Sequence, residues 1–320
     1  MTHKELMIHT LSRKTPVKGM FVPHFELGFF LTMETLNQVH YRHRKFHQWN
    51  QMKESERQLH RVNMADMAIN TAKMFDHSAV MIPWFDIYDV DETARMVDII
   101  RKKTNDEYFL VHQGYDGTFA MPDGETMMEV SMKLVDAPQE IKDHHQKVID
   151  RCIDTVKKVN ARAKIDGLFL TCDYCFNNGP FLSPDQFAEF TAPQLKYEID
   201  AYRSLGSYTI KHTDGNIMPI VEQLVACGPD AIHSLDPQGG VDIKLIKEKY
   251  GKQVALMGNV NCGLMDTGTE EETINSAEYC MTHGKPGGGY IFSTSNCVYT
   301  GMELRKYKLI LEVWKKMREY

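Results

Sequence analysis

Residues 208–233 read YTIKHTDGNIMPIVEQLVACGPDAIH. A short run, Tyr208 to Ile210, leads into a polar turn holding Asp214 and Gly215. A stretch with helical spacing of apolar side chains follows, from Ile217 to Cys227, and then a second short run, Asp230 to His233. Strand, turn, helix and strand in so short a span predict a βαβ unit, whose two strands run parallel because the helix carries the chain back.

The same alternation extends in both directions. Six further runs, Gly19 to Val22, Ala79 to Pro83, Tyr108 to Val111, Leu168 to Leu170, Val254 to Met257 and Tyr290 to Phe292, are bounded by turn or polar residues. Helical patterns fill the intervals at Ser55 to Phe75, Asp91 to Lys103, Pro138 to Arg162, Pro184 to Ser204, Asp242 to Lys249, Glu270 to His283 and Met302 to Lys316. In the last, Leu304, Tyr307, Leu311 and Trp314 make a core stripe on a basic helix. Eight alternating units with right-handed crossovers close most economically into a (β/α)8 TIM barrel. An open doubly wound sheet is the alternative, but no G-x-G-x-x-G follows the first run. The expectation is therefore an α/β chain forming one barrel over residues 1–320. Residues 31–54 (LTMETLNQVHYRHRKFHQWNQMKE) read as a helical lid insertion after the first strand, on the face where barrels build their chemistry.

The chain has 320 residues, 42% of them apolar, with 37 Lys+Arg against 43 Asp+Glu. That is apolar enough for a large core and too acidic for the basic footprint of a nucleic-acid binder. No apolar run approaches a membrane span, and the charged first residues carry no signal-peptide core, so a cytoplasmic location is expected. Seven scattered cysteines argue for reduced thiols, and the lone C-x-x-C at Cys172 and Cys175 has no second pair with which to make a zinc ribbon.

In a barrel, the residues just past each strand share one rim. These are His24, Phe25 and Glu26; Trp84 and Asp86; His112; Asp173 and Tyr174; His212 and Asp214; Asp236; Asn259; and Asn296 and Cys297. So many carboxylates and imidazoles at one mouth are costly to desolvate without a ligand or metal, which points to an enzyme. The densest cluster is His212-Thr213-Asp214-Gly215-Asn216. His and Asp two apart on an extended segment face the same side, and Gly215 permits the tight turn that follows. Cys297, after the last run, could add a third ligand to an open catalytic metal site. For Asp173 and Asp236, capping or bracing a loop weighs as much as chemistry.

The strings GPFLSPDQFAEFTAPQLK, HTDGN, SLDPQGGVD, LIKEKYG, LMGNVNC and KPGGGYIFSTSNC, with Phe85-Asp86-Ile87 upstream, resemble the uroporphyrinogen decarboxylase superfamily over most of residues 79–316. That superfamily includes cobamide-dependent methyltransferases. The resemblance implies a single (β/α)8 barrel with its site at the C-terminal mouth. Decarboxylase members carry an Arg-rich segment after the first strand and a His near the last; here the first reads VPHFELGFFL, with Glu26 and no Arg, and the second position holds Asn296. The methyltransferase branch is closer. Its thiol-methylating members bind zinc through His-x-Cys and a distant Cys; His212 and Cys297 match two of these positions, and Asp214 stands at the third.

The chain has no D-x-H-x-x-G cobalamin pattern, so the resemblance implies cobalamin carried by a partner corrinoid protein, with zinc as the candidate ion in this chain. The expected activity is methyl transfer from a small methylated substrate to cob(I)alamin. An aryl methyl ether is favoured, because Phe25, Phe29, Phe30, Trp84, Tyr115, Tyr174 and Tyr299 lie at or near strand ends. Asp86, Glu26 and Tyr174 are candidate proton donors to the ether oxygen, and His212 and Asp214 complete the catalytic set. His24, Phe25, Trp84, His112, Asp173, Asp236, Asn259 and Asn296 are the candidate substrate contacts. Alternatives are transfer from methylcobalamin to a thiol or pterin, and decarboxylation of a smaller acid. A second copy of the chain is a possible further partner.

Overall fold

The computed structural model describes residues 1–44, 46–83 and 86–320. Its frame is a curled sheet of seven parallel strands in the order β1 (Ala79–Met81), β2 (Phe109–Gln113), β3 (Gly167–Leu170), β6 (Tyr208–Thr213), β7 (Ala231–Ser234), β8 (Ala255–Val260) and β9 (Tyr290–Thr294). A small antiparallel ribbon, β4 (Cys175–Phe176) with β5 (Gly179–Pro180), projects between β3 and β6. The βαβ unit at 208–233 forms as expected: β6 and β7 pair in parallel, with Ile210 opposite Ala231 and His212 opposite His233. Every interval with helical spacing carries a helix. The interval from Pro184 is split at Thr191 into Pro184–Phe190 and Ala192–Ser204.

The closed eight-stranded barrel does not form. The ladder is open between β1 and β9, and the first expected run is not a strand. Gly19 turns at φ +87°, and Phe21 and Val22 pair instead with the C-terminal tail, Val22 N–H donating to the Arg318 carbonyl. The gap is crossed by Pro23–Phe25 through a single bridge, His24 to Phe292. The Phe292 N–H donates to the Pro23 carbonyl (2.9 Å), Phe25 N–H to Phe292 (3.2 Å) and Ser78 N–H to His24 (2.7 Å). Pro23 has no N–H to give, so the ladder cannot be continued toward the chain start.

Strand alternation sorts side chains into two layers. Ala79, Phe109, Val111, Phe169, Ile210, Ala231, Ala255, Met257 and Ile291 point into the curl, where Phe25 and Leu27 join them. α1 (His3–Leu11) plugs the N-terminal end of the curl with Met7 and Leu11. Lys4 there pairs with Asp106 and Asp166, at the starts of β2 and β3 (2.9 and 3.2 Å). Leu110, Leu168, Ile232 and Leu256 point the other way, into the helix layer. Each such Leu, Ile or Phe contributes about 2 kcal/mol of burial. Tyr307 and Trp314 of the last helix are fully buried in that layer, Trp314 donating to the Val22 carbonyl (2.9 Å).

The lid insertion is helical only in part. It contains α2 (Thr32–Leu36) and two single 3-10 turns, and α3 (Glu54–Phe75) follows. No helix among the described residues is long and apolar enough to cross a membrane.

Candidate active site

β6 ends with Ile210 and His212 facing inward, and Asp214 continues that face into the turn. Gly215 holds the turn: its φ is +77°, and a Cβ there would sit 2.6 Å from the carbonyl oxygens of Cys175 and Phe176 in the β4–β5 ribbon. No other residue fits. Asp173, after β3, accepts a hydrogen bond from the Asp214 N–H (3.0 Å). His212 Nε2 then lies 3.7 Å from a carboxylate oxygen of Asp173 and 3.7 Å from one of Asp214, too far for a hydrogen bond to either. These three side chains form the one group among the described residues whose ligand atoms converge closely enough to hold a metal ion. Cys297 is not part of that group.

Burial lowers His212 to about 3, aided by neighbouring Lys211, and raises Asp214 to about 7, aided by Asp173 and Asp236. Burial also raises Asp173. The site is therefore a neutral imidazole between two carboxylates that resist ionising together. Behind it, His212 Nδ1 lies 2.8 Å from His233 Nδ1, and His233 Nε2 lies 3.0 Å from the Thr294 carbonyl.

Asn296 donates its amide to Asp214, and Asp236 accepts from Gly215 and Gln238 N–H groups (3.2 and 2.9 Å). Both line a cleft of about 480 Å³ with Asn177, Asp214, Gln238, Cys262, Asp266, Ser295, Cys297 and Tyr299. No Lys or Arg is among the described residues lining it. A second, tighter pocket of about 50 Å³ lies under the lid, walled by Phe25, Phe29, Phe30, His40, Tyr41 and Met67, with Arg42 and Glu26 at its polar side. Gly28 and Cys297 separate the two: a methyl group on Gly28 would meet the Cys297 sulfur at 3.0 Å. Burial pushes that thiol up to about 12.

The remaining expected site residues lie elsewhere. Glu26 is buried and saturated, accepting from Ser293 Oγ (2.9 Å), Thr294 N–H (3.0 Å) and Thr294 Oγ1 (2.6 Å), with His24 Nε2 at 3.1 Å. His24 packs among His77, Trp314 and Tyr307 in the helix layer. His112 alternates with inward Val111 and so points outward, its ring against Tyr115 and its nitrogens unpartnered; burial lowers it to about 4. Tyr174 also faces the helix layer, bonded to Thr118 Oγ1 (2.6 Å), and burial drives its phenol far above the ordinary range, which removes it as a proton donor at the mouth. Asn259 braces the Leu235 carbonyl (2.6 Å). Asp86 is exposed and caps its own turn at Tyr88 N–H (2.9 Å). Trp84 and Phe85 lie outside the described residues. His233 is the residue that sequence reasoning missed. Alternation with inward Ala231 was the available signal.

The family model for uroporphyrinogen decarboxylase (URO-D) matches residues 118–317, which include β3 to β9 and every member of the converging group. The chain belongs to the uroporphyrinogen decarboxylase family. No curated protein sequence matches it. Among solved structures, a methyltransferase from Methanosarcina mazei is similar in fold at a TM-score of 0.70, with 16% identity over 99% of each chain. A β-mannanase from the blue mussel Mytilus edulis reaches a TM-score of only 0.45, at 10% identity over 92% of this chain and 91% of its own.

Proposed function

We propose that this protein transfers a methyl group from a small methylated donor to the cob(I)alamin of a separate corrinoid protein. The observation that carries the reading is the converging Asp173–His212–Asp214 group, whose Asp214 also lines the open cleft. The fold likeness to a methyltransferase supports it.

One imidazole nitrogen and two carboxylates suit a divalent cation of harder character than a thiolate zinc site, and Cys297 stands outside that set. A divalent ion held by Asp173, His212 and Asp214 would supply Lewis acidity to the heteroatom that the methyl group leaves. In this chain, Asn296 orients Asp214, Asp236 holds the Gly215 turn, and burial keeps the Cys297 thiol protonated and therefore a poor nucleophile. The corrinoid supplies the nucleophile.

For the donor, the aromatic wall under the lid favours an aryl methyl ether. Free space of about 50 Å³ is below the roughly 150 Å³ of a cavity that takes up benzene, so the lid must move to admit a ring. A second reading rests on the cleft itself, whose carboxylates without Lys or Arg favour a small cationic donor such as a methylated amine. The same charge disfavours decarboxylation of a polycarboxylate. Of the acceptors for transfer in the opposite direction, a thiol, unlike a pterin, would require a metal able to bind thiolate.

The test is conversion of cob(I)alamin to methylcobalamin, followed by absorbance with and without corrinoid protein. Methoxyarenes, methylamines, methanol and a carboxylated tetrapyrrole are offered side by side. Turnover of a methoxyarene on the protein-bound corrinoid is expected. Turnover of methylamine alone would replace the aryl reading by the cationic one, and silence in every row would sink methyl transfer.

A further inference from the structure

Two histidines on neighbouring strands form a short relay that ends on a carbonyl, and the relay determines which nitrogen of His212 carries its hydrogen. His212 and His233 are register partners on β6 and β7, both inward and both buried. Their Nδ1 atoms are 2.8 Å apart, so one must donate and the other accept. The far nitrogen of His233, Nε2, is 3.0 Å from the Thr294 carbonyl oxygen, which can only accept. His233 Nε2 therefore carries a hydrogen. A second hydrogen on Nδ1 would place a cation in the inner core with no carboxylate hydrogen-bonded to it, so Nδ1 of His233 is bare. His212 Nδ1 must donate to it. That leaves the Nε2 lone pair of His212 as the atom facing Asp173 and Asp214.

We propose that His233 is a positioning residue that locks His212 in the Nδ1–H form and so presents a bare Nε2 to whatever cation the two carboxylates share. Ligating histidines elsewhere are oriented by a carboxylate, a carbonyl or water at the far nitrogen. Here a second imidazole takes that place and hands the constraint on to Thr294 of β9. The inference rests on the cation-site reading for its purpose, but the tautomer itself does not depend on metal, donor or corrinoid.

The test uses the full chain without added metal. Long-range ¹H–¹⁵N correlation spectra report which imidazole nitrogen is protonated, with the two rings assigned by signal loss in His212→Gln and His233→Gln. Wild type is expected to show Nδ1–H on His212 and Nε2–H on His233. His233→Phe, which cannot accept, should move His212 toward Nε2–H and weaken Co²⁺ binding by about tenfold or more. His233→Gln, whose amide can accept from His212 and donate to Thr294, should restore the Nδ1–H form. Nε2–H on His212 in wild type, or an unchanged His212 tautomer in His233→Phe, would overturn the proposal. Should the Phe variant fail to fold, the wild-type spectrum alone decides. The expected tautomers together with no Co²⁺ binding by wild type would uphold the lock and defeat the cation-site reading instead.

Discussion

Lys211 and His212 are adjacent on β6 and face opposite sides of the sheet, and each anchors a cluster of ionisable groups. On the outer side, the Lys211 ammonium is fully buried yet fully engaged. It donates to Asp116 (2.7 Å) and to the Cys172 carbonyl (2.8 Å) and lies 4.2 Å from the centre of the Tyr174 ring. Against the pull of burial, Lys211 and its hydrogen bonds hold the Asp116 carboxyl below its ordinary range. On the inner side, His212 and two carboxylates approach without bonding, and burial pushes the carboxyls up. The contrast teaches how to separate structural from chemical polarity in a buried setting: the outer pair is closed by its own hydrogen bonds, and the inner three side chains converge without bonding to one another.

The sharpest way to break this contrast is to remove each anchor. His212→Ala should reduce methyl transfer by about a thousandfold or more while thermal stability stays within a few degrees. Loss of folding along with activity would place His212 with the structural group. Lys211→Met should instead destabilise by about 3–5 kcal/mol in urea unfolding, because Asp116 is stranded in the core. Adding Asp116→Leu should recover most of that loss; no recovery would mean that the outer pair is not a closed unit.

A smaller effect lies in pH. Asp214 titrates near 7 in the folded chain, above the unfolded carboxylate value of about 3.9, so the folded state holds the proton more tightly. That contribution to stability is present below the unfolded value and lost as pH rises through 7. Between pH 5 and 8, wild type should therefore lose about 2 kcal/mol relative to Asp214→Asn, after allowance for partial solvation. Parallel curves for the two proteins would show that Asp214 is already relieved by a neighbour.

The seven sheet strands and the eight long helical intervals could be read from hydrophobic spacing because each buries one face or both. Two things could not. The first expected strand fails on a single Pro23, whose missing N–H matters only once it is known which side of the segment must pair. The N-terminal helix HKELMIHTL shows little one-sided patterning, and its use as a plug depends on a hole that only the assembled curl creates. At the site, position just past a strand was the wrong filter on its own. His24, His112 and Tyr174 all meet it, yet strand parity turns them to the helix layer. The same parity turns His233 inward. Asp173 joining His212 and Asp214 depends on how the turns after β3 and β6 nest, a tertiary fact with no local signature.

The crossing of the open sheet edge bears on how the molecule comes into being. Residues 23–30 run beside β9 and its continuation: Glu26 is gripped by Ser293 and Thr294, and Gly28 and Phe30 exchange backbone bonds with Val298 (2.8 Å each). Asn296 and Cys297 sit within that same stretch. Some 267 positions separate Glu26 from Ser293, so the C-terminal wall of the cleft, with Asn296 and Cys297, is braced by the far end of the polypeptide. Closing so long a loop is entropically late in any folding sequence. The βαβ units that carry Asp173, His212 and Asp214 can form early, but the stretch holding Asn296 and Cys297 is fixed only when this last stitch is drawn.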